Sequence, residues 1–403
     1  MLRVQYPVSS FADAPFEIID GDRGKAYPNQ NELHESGYCV FLSAANVTKS
    51  GFDFRTTQFI DEQKDAELRK GRLKRNDVVL TTRGTLGNVA YFGDGVPFEH
   101  MRINSGMVIL RCDCSRLLPS FLYTFLRSEE FKWQVERMRS GVAQPQLPIR
   151  DMKRMALPLP TTSQQEKVVG IISPYDELIA NNRRRIGLLE EAARLLYREW
   201  FVHFRFPGHE HVKIVDGLPE GWQRKKLIDL ADVVMGQSPK SKFYNQAGEG
   251  LPFHQGVTEY GFRFVTHQTY SSAVTKVAEA GDILLSVRAP VGRINLTRDK
   301  IILGRGLSAI RSRSGHQSFL FYALKNHFFA EDIIGSGSIY AATNRNELEG
   351  QELTVPSALL LKEFEVQANM IDRQIDCLTS QVEKLTQARD LLLPRLINGK
   401  IAV

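Results

Sequence analysis

Two long stretches of the chain place core-type residues at alternating spacings of four and three. Tyr175, Ile179, Asn182, Ile186, Leu189, Ala193 and Leu196 form the first series, and Ile371, Ile375, Leu378, Val382, Leu385, Arg389 and Leu392 the second. Each is a heptad seam held for about three repeats, which predicts two long helices with one apolar stripe apiece. Asn182 sits within its seam, as a polar residue that fixes register does. Ser163-Gln-Gln-Glu166 has capping-box spacing and predicts the start of the first helix, while Ser357 after Pro356 predicts the start of the second. Pro174 is expected to kink or interrupt the first helix, because it has no amide hydrogen and crowds the carbonyl of Gly170. Pro394 and Gly399 are expected to close the second. Neither stripe can stay bare in water, so the two helices are expected to pair with each other. Residues 358 to 393 would make a rod of roughly 54 Å at ~1.5 Å per residue.

Ahead of each long helix the pattern changes to short β runs bounded by Gly and Pro: Val78–Thr82 and Met107–Arg111, then Ile283–Val287 and Ser308–Arg311, with helices near 119–138 and 316–333. These runs are two copies of one pattern. Asn76-Asp-Val-Val-Leu-Thr-Thr-Arg83-Gly-Thr-Leu-Gly87 aligns without gaps on Gly281-Asp-Ile-Leu-Leu-Ser-Val-Arg288-Ala-Pro-Val-Gly292. Phe121-Leu-Tyr-Thr-Phe-Leu matches Phe319-Leu-Phe-Tyr-Ala-Leu, Ser140-Gly141 matches Ser336-Gly337, and Leu159-Pro160 matches Val355-Pro356. The offset drifts, so loops differ in length while the unit repeats. The fold class expected is α+β: a pseudo-two-fold repeat of two mixed α/β domains joined by two long helices in an antiparallel coiled coil. The boundaries expected are 1–160 for the first domain, 161–206 for the central helix region, 207–217 for a linker, 218–356 for the second domain and 357–403 for the C-terminal helix region.

Composition narrows the class. With 403 residues and 42% hydrophobic content the chain can bury several cores, and four cysteines are too few for a disulfide framework. It has no apolar run near ~18 residues and no signal-peptide core, so a soluble, cytoplasmic protein is expected. The net charge of +6 is concentrated in stripes. Arg69, Lys70, Arg72, Lys74, Arg75 and Arg83 form one. Arg288, Arg293, Arg298, Lys300, Arg305, Arg311 and Arg313 form the other. Such stripes fit a phosphate-backbone binder or a solvated face.

Catalytic signals are missing. There is no G-x-x-x-x-G-K-[ST] loop and no strand-borne G-x-G-x-x-G. Cys112-Asp-Cys114 lacks a second ligand pair for zinc, and His203, His209 and His211 read as solvated. Asp53 with Glu62-Gln-Lys64 reads as a solvated polar run. Tyr197, Trp200, Phe201, Phe204 and Phe206, at the end of the first helix, predict a small core where the helix meets a globular domain.

Several motifs together resemble the specificity subunit of a type I restriction-modification system. They are Gln164-Gln-Glu-Lys-Val-Val, Asp176-Glu-Leu-Ile-Ala-Asn-Asn-Arg-Arg-Arg-Ile186, Leu188 to Phe201, Gly217-Leu-Pro-Glu-Gly-Trp222 and the tail from Leu385 to Ile401. The resemblance covers essentially the whole chain, although the N-terminus has no Gly-Trp entry. It implies a non-catalytic protein in which each globular part is a target-recognition domain reading one half of a bipartite double-stranded DNA sequence. The paired helices would set the gap and dock two methyltransferase subunits, and two restriction subunits would join for cleavage. S-adenosylmethionine, ATP and Mg2+ would belong to those partners, and no membrane is involved. The alternative is a stand-alone coiled-coil DNA-binding or adaptor protein.

The DNA-contact candidates follow from the repeat. Arg83 and Arg288 occupy equivalent strand-exit loops and suit bidentate reading of guanine, or else pair with Asp77 and Asp282. Thr85 and Asn88 share the first loop. Gln144 and Gln146, with Tyr340 and Asn344 in the second copy, fit adenine edges or turn backbones. Lys240, Lys242, Arg293 and Arg305 suit phosphates.

Overall fold

The structure is a computed structural model and describes residues 6–141, 145–328, 342–401 and 403. The chain forms two compact units, Met1–Asn182 with Ser380–Val403, and Arg183–Thr379. The division falls within the long helices, Thr162–Phe201 and Ala358–Ile397, so each unit holds one globular part and a segment of both helices.

The first unit is built on a four-stranded antiparallel sheet in the order Phe16–Asp20, Met107–Cys112, Val78–Thr81, Val89–Tyr91. Its central strands are apolar on both faces because both are covered. One face packs on the helices Pro119–Leu126 and Glu129–Met138 through Leu80, Phe121, Phe125 and Phe131. The other packs on a second layer through Val79, Ile109 and Met101. That layer orders Phe59–Ile60, Cys39–Leu42 and Met101–Ile103, the last two parallel with Val40 opposite Met101. The helix expected over 119–138 is two helices, because the first ends at Arg127 and Ser128 caps the next, its Oγ accepting from Phe131 N at 3.2 Å.

The second unit repeats this plan. Its four strands run Ala231–Met235, Leu307–Ser312, Ile283–Ser286, Ile294–Leu296 in the matching order. Its second layer has five strands in place of three, yet keeps the parallel pair, with Phe253 opposite Ile302. The described helix is Gln317–Phe328. The aromatic group behaves as expected: Phe201 lies 4.9 Å from Phe364 and 5.7 Å from Trp222, which also meets Phe204 and Phe206. The linker 207–217 is not featureless, since Ile214–Val215 pairs with Leu218–Pro219 as a short hairpin.

Three expectations about the helices need correction. The capping box lies two residues earlier than Ser163 and Glu166. Thr161 N donates to Gln164 Oε1 at 3.1 Å, and Gln164 N donates to Thr161 Oγ1 at 3.4 Å. Pro174 does not interrupt the helix. Pro174 and Gly170 are both exposed, so the carbonyl that loses its donor faces water, while Ile172 and Ile179 stay buried on the packed face. Pro394 does not close the second helix either, which runs on to Ile397 before Gly399 turns at φ +63°. A proline inside a helix costs ~3 kcal/mol. Burying Leu393, Leu396 and Ile397 returns roughly 1.5–3 kcal/mol each.

All fourteen seam residues are buried or half-buried. They are Tyr175, Ile179, Asn182, Val382, Leu385, Arg389 and Leu392 in the first unit, and Ile186, Leu189, Ala193, Leu196, Ile371, Ile375 and Leu378 in the second. In the first unit the helix segments run antiparallel. Asp176 accepts from Arg389 at 2.7 Å and Asn182 Nδ2 donates to Gln381 Oε1 at 3.1 Å. In the second, Phe364 packs against both Tyr197 and Trp200.

Candidate functional site

At one end of each four-stranded sheet, turns from both layers meet. In the first unit Asn104 N donates to Leu42 O at 3.1 Å, while Thr82 N and Arg83 N donate to Gly106 O at 2.8 and 3.1 Å. A side chain at Gly21 would stand 2.2 Å from the Asn104 carbonyl, so only glycine lets the third turn approach. The second unit builds the same meeting point. Gly304 N donates to His254 O at 2.8 Å, Val287 N donates to Gly306 O at 2.9 Å, and a side chain at Gly236 would stand 2.1 Å from the Gly304 carbonyl.

The strand-exit loop at this edge is held the same way in both copies. Thr81 Oγ1 donates to Thr85 O and accepts from Asn88 N at 3.0 Å. Ser286 Oγ donates to Pro290 O at 2.6 Å and accepts from Arg293 N at 2.8 Å. A hydroxyl at the strand end therefore fastens each loop. The loops are anchored again across Leu147 N to Thr82 O, 3.0 Å, and Thr343 N to Val287 O, 2.9 Å.

Arg83 and Arg288 project from these loops, both exposed. The salt bridges considered for them are made by other residues. Asp77 is gripped by Arg111 at 2.9 and 2.8 Å and accepts from Lys74 N. Asp282 is gripped by Arg311 at 2.6 and 2.8 Å and accepts from Glu279 N. Across the sheet, Arg111 and Arg311 come from the neighbouring strand, closer to each aspartate than the loop arginines that follow it in sequence.

The remaining candidates divide. Thr85 Oγ1 donates to Ala44 O at 2.9 Å and Asn88 Nδ2 to Val47 O at 2.9 Å, so these donors brace the loop internally. Asn344 is a helix cap whose Oδ1 accepts from Glu347 N at 3.0 Å, with Glu347 Oε2 accepting from Asn344 N in return. Gln146 is half-buried and pairs through its backbone with Arg83 and Ser140. Gln144 and Tyr340 lie outside the described residues. Arg305 is exposed on the meeting turns, and Lys240, Lys242 and Arg293 are exposed nearby in sequence.

The basic stripes also divide. In the first unit Arg69, Lys70, Arg72 and Lys74 line a cleft of about 610 Å3 with Glu17 and Asp20. Arg75 instead donates to the carbonyls of Gly93, Val96 and Phe98 and stacks on Phe92. In the second, Arg298, Lys300, Arg311 and Arg313 are bound to Asp376, Glu279, Asp282 and Asp232. Much of that stripe is internal pairing, which the linear charge pattern concealed.

Sequence reasoning missed three side chains at the meeting turns. Arg23 is exposed beside Ser105, and Gln255 is exposed with its Oε1 accepting from Ser238 Oγ at 2.8 Å. Ser238 Oγ also accepts from Arg305 N at 3.1 Å. Asn104-Ser-Gly106 and Gly304-Arg-Gly306 are a further match between the copies that would have pointed to these turns. Among the described residues no group of three or more His, Cys, Asp or Glu could hold a metal ion. Burial pushes the Cys112 thiol up to about 12. No described helix is long and apolar enough to cross a membrane.

The chain is thus two copies of one α+β fold, each ending in an edge with an exposed arginine on a fastened loop. The family described as type I restriction modification DNA specificity domain matches residues 16–191 and 219–369, and the chain belongs to it. It is a specificity subunit, the non-catalytic DNA-recognition component of such a system, with two recognition domains. The specificity subunit of the type I restriction enzyme HindI of Haemophilus influenzae is 23% identical, covering 93% of this chain and 95% of that protein. A Methanocaldococcus jannaschii protein, assigned provisionally as the MjaX specificity subunit, is 28% identical over 96% of this chain and 92% of its own length. The crystal structure of the S subunit from M. genitalium shares the fold, with a TM-score of 0.59 at 15% identity, covering 98% of this chain and 97% of that one. A stand-alone adaptor finds no support among these relatives.

Proposed function

We propose that the two recognition domains, residues 1–160 and 218–356, each read one half of a bipartite duplex target through the edge where the turns meet. Arg83 and Arg288 are the base readers, suited to the O6 and N7 of guanine in the major groove. Gln255, and Gln146 and Arg23 in the first domain, stand where they would read neighbouring base edges. Lys240, Lys242, Arg293, Arg305 and the cleft lined by Arg69 and Lys70 take phosphates, which position the protein without specifying sequence. The single observation that carries this reading is the pair of equivalent, exposed loop arginines whose neighbouring aspartates are already taken by Arg111 and Arg311.

The long helices pair as an antiparallel coiled coil that sets the gap between half-sites and carries two methyltransferase subunits. Two restriction subunits complete the complex. S-adenosylmethionine, ATP and Mg2+ bind those partners, and the complex works in the cytoplasm. Methylation mapping of a genome with and without this chain tests the reading. The expected outcome is one bipartite sequence, and Arg83→Ala and Arg288→Ala should each relax a different half. If both variants altered the same half, or neither altered any base preference, the assignment would be wrong.

A further inference from the structure

In the second unit a buried ionic cluster joins the strand layers to both long helices. Arg263 lies in the segment between Tyr260 and Val265, which bridge each other antiparallel, and its side chain is 3% exposed. Its Nη1 donates to Glu190 Oε1 at 2.5 Å and to the Tyr322 hydroxyl at 3.1 Å. Its Nη2 donates to Asp372 Oδ1 at 2.5 Å, which also accepts from Tyr322 at 2.7 Å. Lys325 donates to the other Glu190 oxygen at 3.1 Å. Two cations thus face two carboxylates, one on each long helix. Burial alone would raise the Glu190 carboxyl, but Arg263 and Lys325 outweigh it and hold it below its ordinary value. A second arginine, Arg298, lies over the Phe264 ring at 4.0 Å and donates to Asp376 Oδ1 at 2.7 Å.

The cluster connects directly to the reading edge. Leu296 N donates to Arg263 O at 2.9 Å, and Val265 N donates to Leu296 O at 3.0 Å. Ile294–Leu296 pairs with Ile283–Ser286, the strand that ends in the Arg288 loop. An apolar contact is not directional and would let the layers slide. Hydrogen bonds from one rigid guanidinium to acceptors on two helices fix both height and rotation.

Resting on the bipartite reading proposed above, we infer that Arg263 is a positioning residue for DNA recognition: it pins the second reading edge to the long-helix segments of its unit and thereby fixes the base-pair gap at which the second half-site is accepted. Arg298 is an outer strut of the same pin.

The test uses the full chain assembled with its methyltransferase subunits. Arg263→Met combined with Glu190→Gln and Asp372→Asn removes the pin without leaving a buried carboxylate unpaired. Methylation is then measured on duplexes whose half-sites are constant and whose gap is the wild-type length or one base pair longer or shorter. Off-gap methylation relative to the wild-type gap should rise about fivefold or more, the size of an ordinary coupling between sites, with half-site sequences unchanged. Arg263→Lys should recover part of the selectivity. Arg298→Gln, at the exposed end, should give a smaller change in the same direction, and it carries the test if the triple variant fails to fold. A proportional loss at every gap would show a merely structural role and overturn the inference. So would an unchanged gap profile in a folded triple variant, or in Arg298→Gln where the triple variant does not fold. A wild-type complex that methylates no bipartite sequence would refute the underlying reading itself.

Discussion

The two units share a scaffold and differ in what hangs on it. Both keep a four-stranded sheet in one strand order, an aspartate gripped by an arginine from the neighbouring strand, and a hydroxyl that fastens the exit loop. Their second layers diverge. The first has three strands and buries an Arg102–Asp65 ion pair, which Arg72 joins from the surface. The second has five and buries His254, whose Nε2 lies 2.9 Å from His267 Nδ1, with His267 Nε2 3.0 Å from Asp299. The attachments to the helices differ as well. Asp176 is held by Arg127 from a short helix and Arg389 from the second long helix, whereas Glu190 and Asp372 are held by Arg263 from the strand layers. What must be the same in two readers, the frame that presents a loop, has been kept. What must differ if they read different sequences, the layer contributing the other turns, has not.

The largest expected effect tests the independence of the two. Replacing residues 218–356 with the matching domain of a relative should change one half of the methylated site completely and leave the other intact. A change in both halves, seen by methylation mapping, would abolish the comparison.

The shared aspartate comes next. Asp77→Ala should destabilise the first unit by about 3 kcal/mol, since it breaks a buried charge pair and frees the Lys74 amide. Asp282→Ala should cost less, about 2 kcal/mol, because Arg311 is 51% exposed against 27% for Arg111. Chemical denaturation of both variants checks the order, and the reverse order would show that exposure is not what separates the braces.

At the reading edges, Arg83→Ala and Arg288→Ala should each lose about 1–3 kcal/mol of discrimination at one base pair. Binding to duplexes varied one position at a time measures it.

Acid should distinguish the units more gently. Burial, with His267 adding to it, pulls His254 down to about 4, against about 6.5 in an unfolded chain. Between those values the unfolded state binds the extra proton. The stability from neutral His254 is therefore present above about 6.5 and lost as the pH falls toward 4. From pH 7.5 to 5.5 the second unit should lose roughly 1–1.5 kcal/mol. The first unit, with Leu42 making the matching backbone contact, should not lose this amount. Hydrogen exchange at the two pH values resolves the units, and His254→Leu should flatten the difference.

The smallest effect is electrostatic. Lys240→Ala with Lys242→Ala should lower the slope of log affinity against log salt by about 1–2 and leave base preference unchanged.

The internal repeat, the two long helices and the seam were legible along the chain because they depend on local periodicity and on loops of similar composition. Thr81 and Ser286, Gly87 and Gly292, Arg83 and Arg288 recur at matching places for the same reason. Partner choice was not legible. Which arginine holds Asp77, whether Thr85 faces DNA or Ala44, and why Pro174 and Pro394 are tolerated depend on neighbours brought from distant parts of the chain. Charge stripes misled most. A linear count cannot tell Arg298, bound to a helix carboxylate 78 residues away, from Arg305, exposed at a turn. Periodicity is a property of a segment and is written in it. An ion pair is a property of a place, and only the folded chain decides which residues meet there.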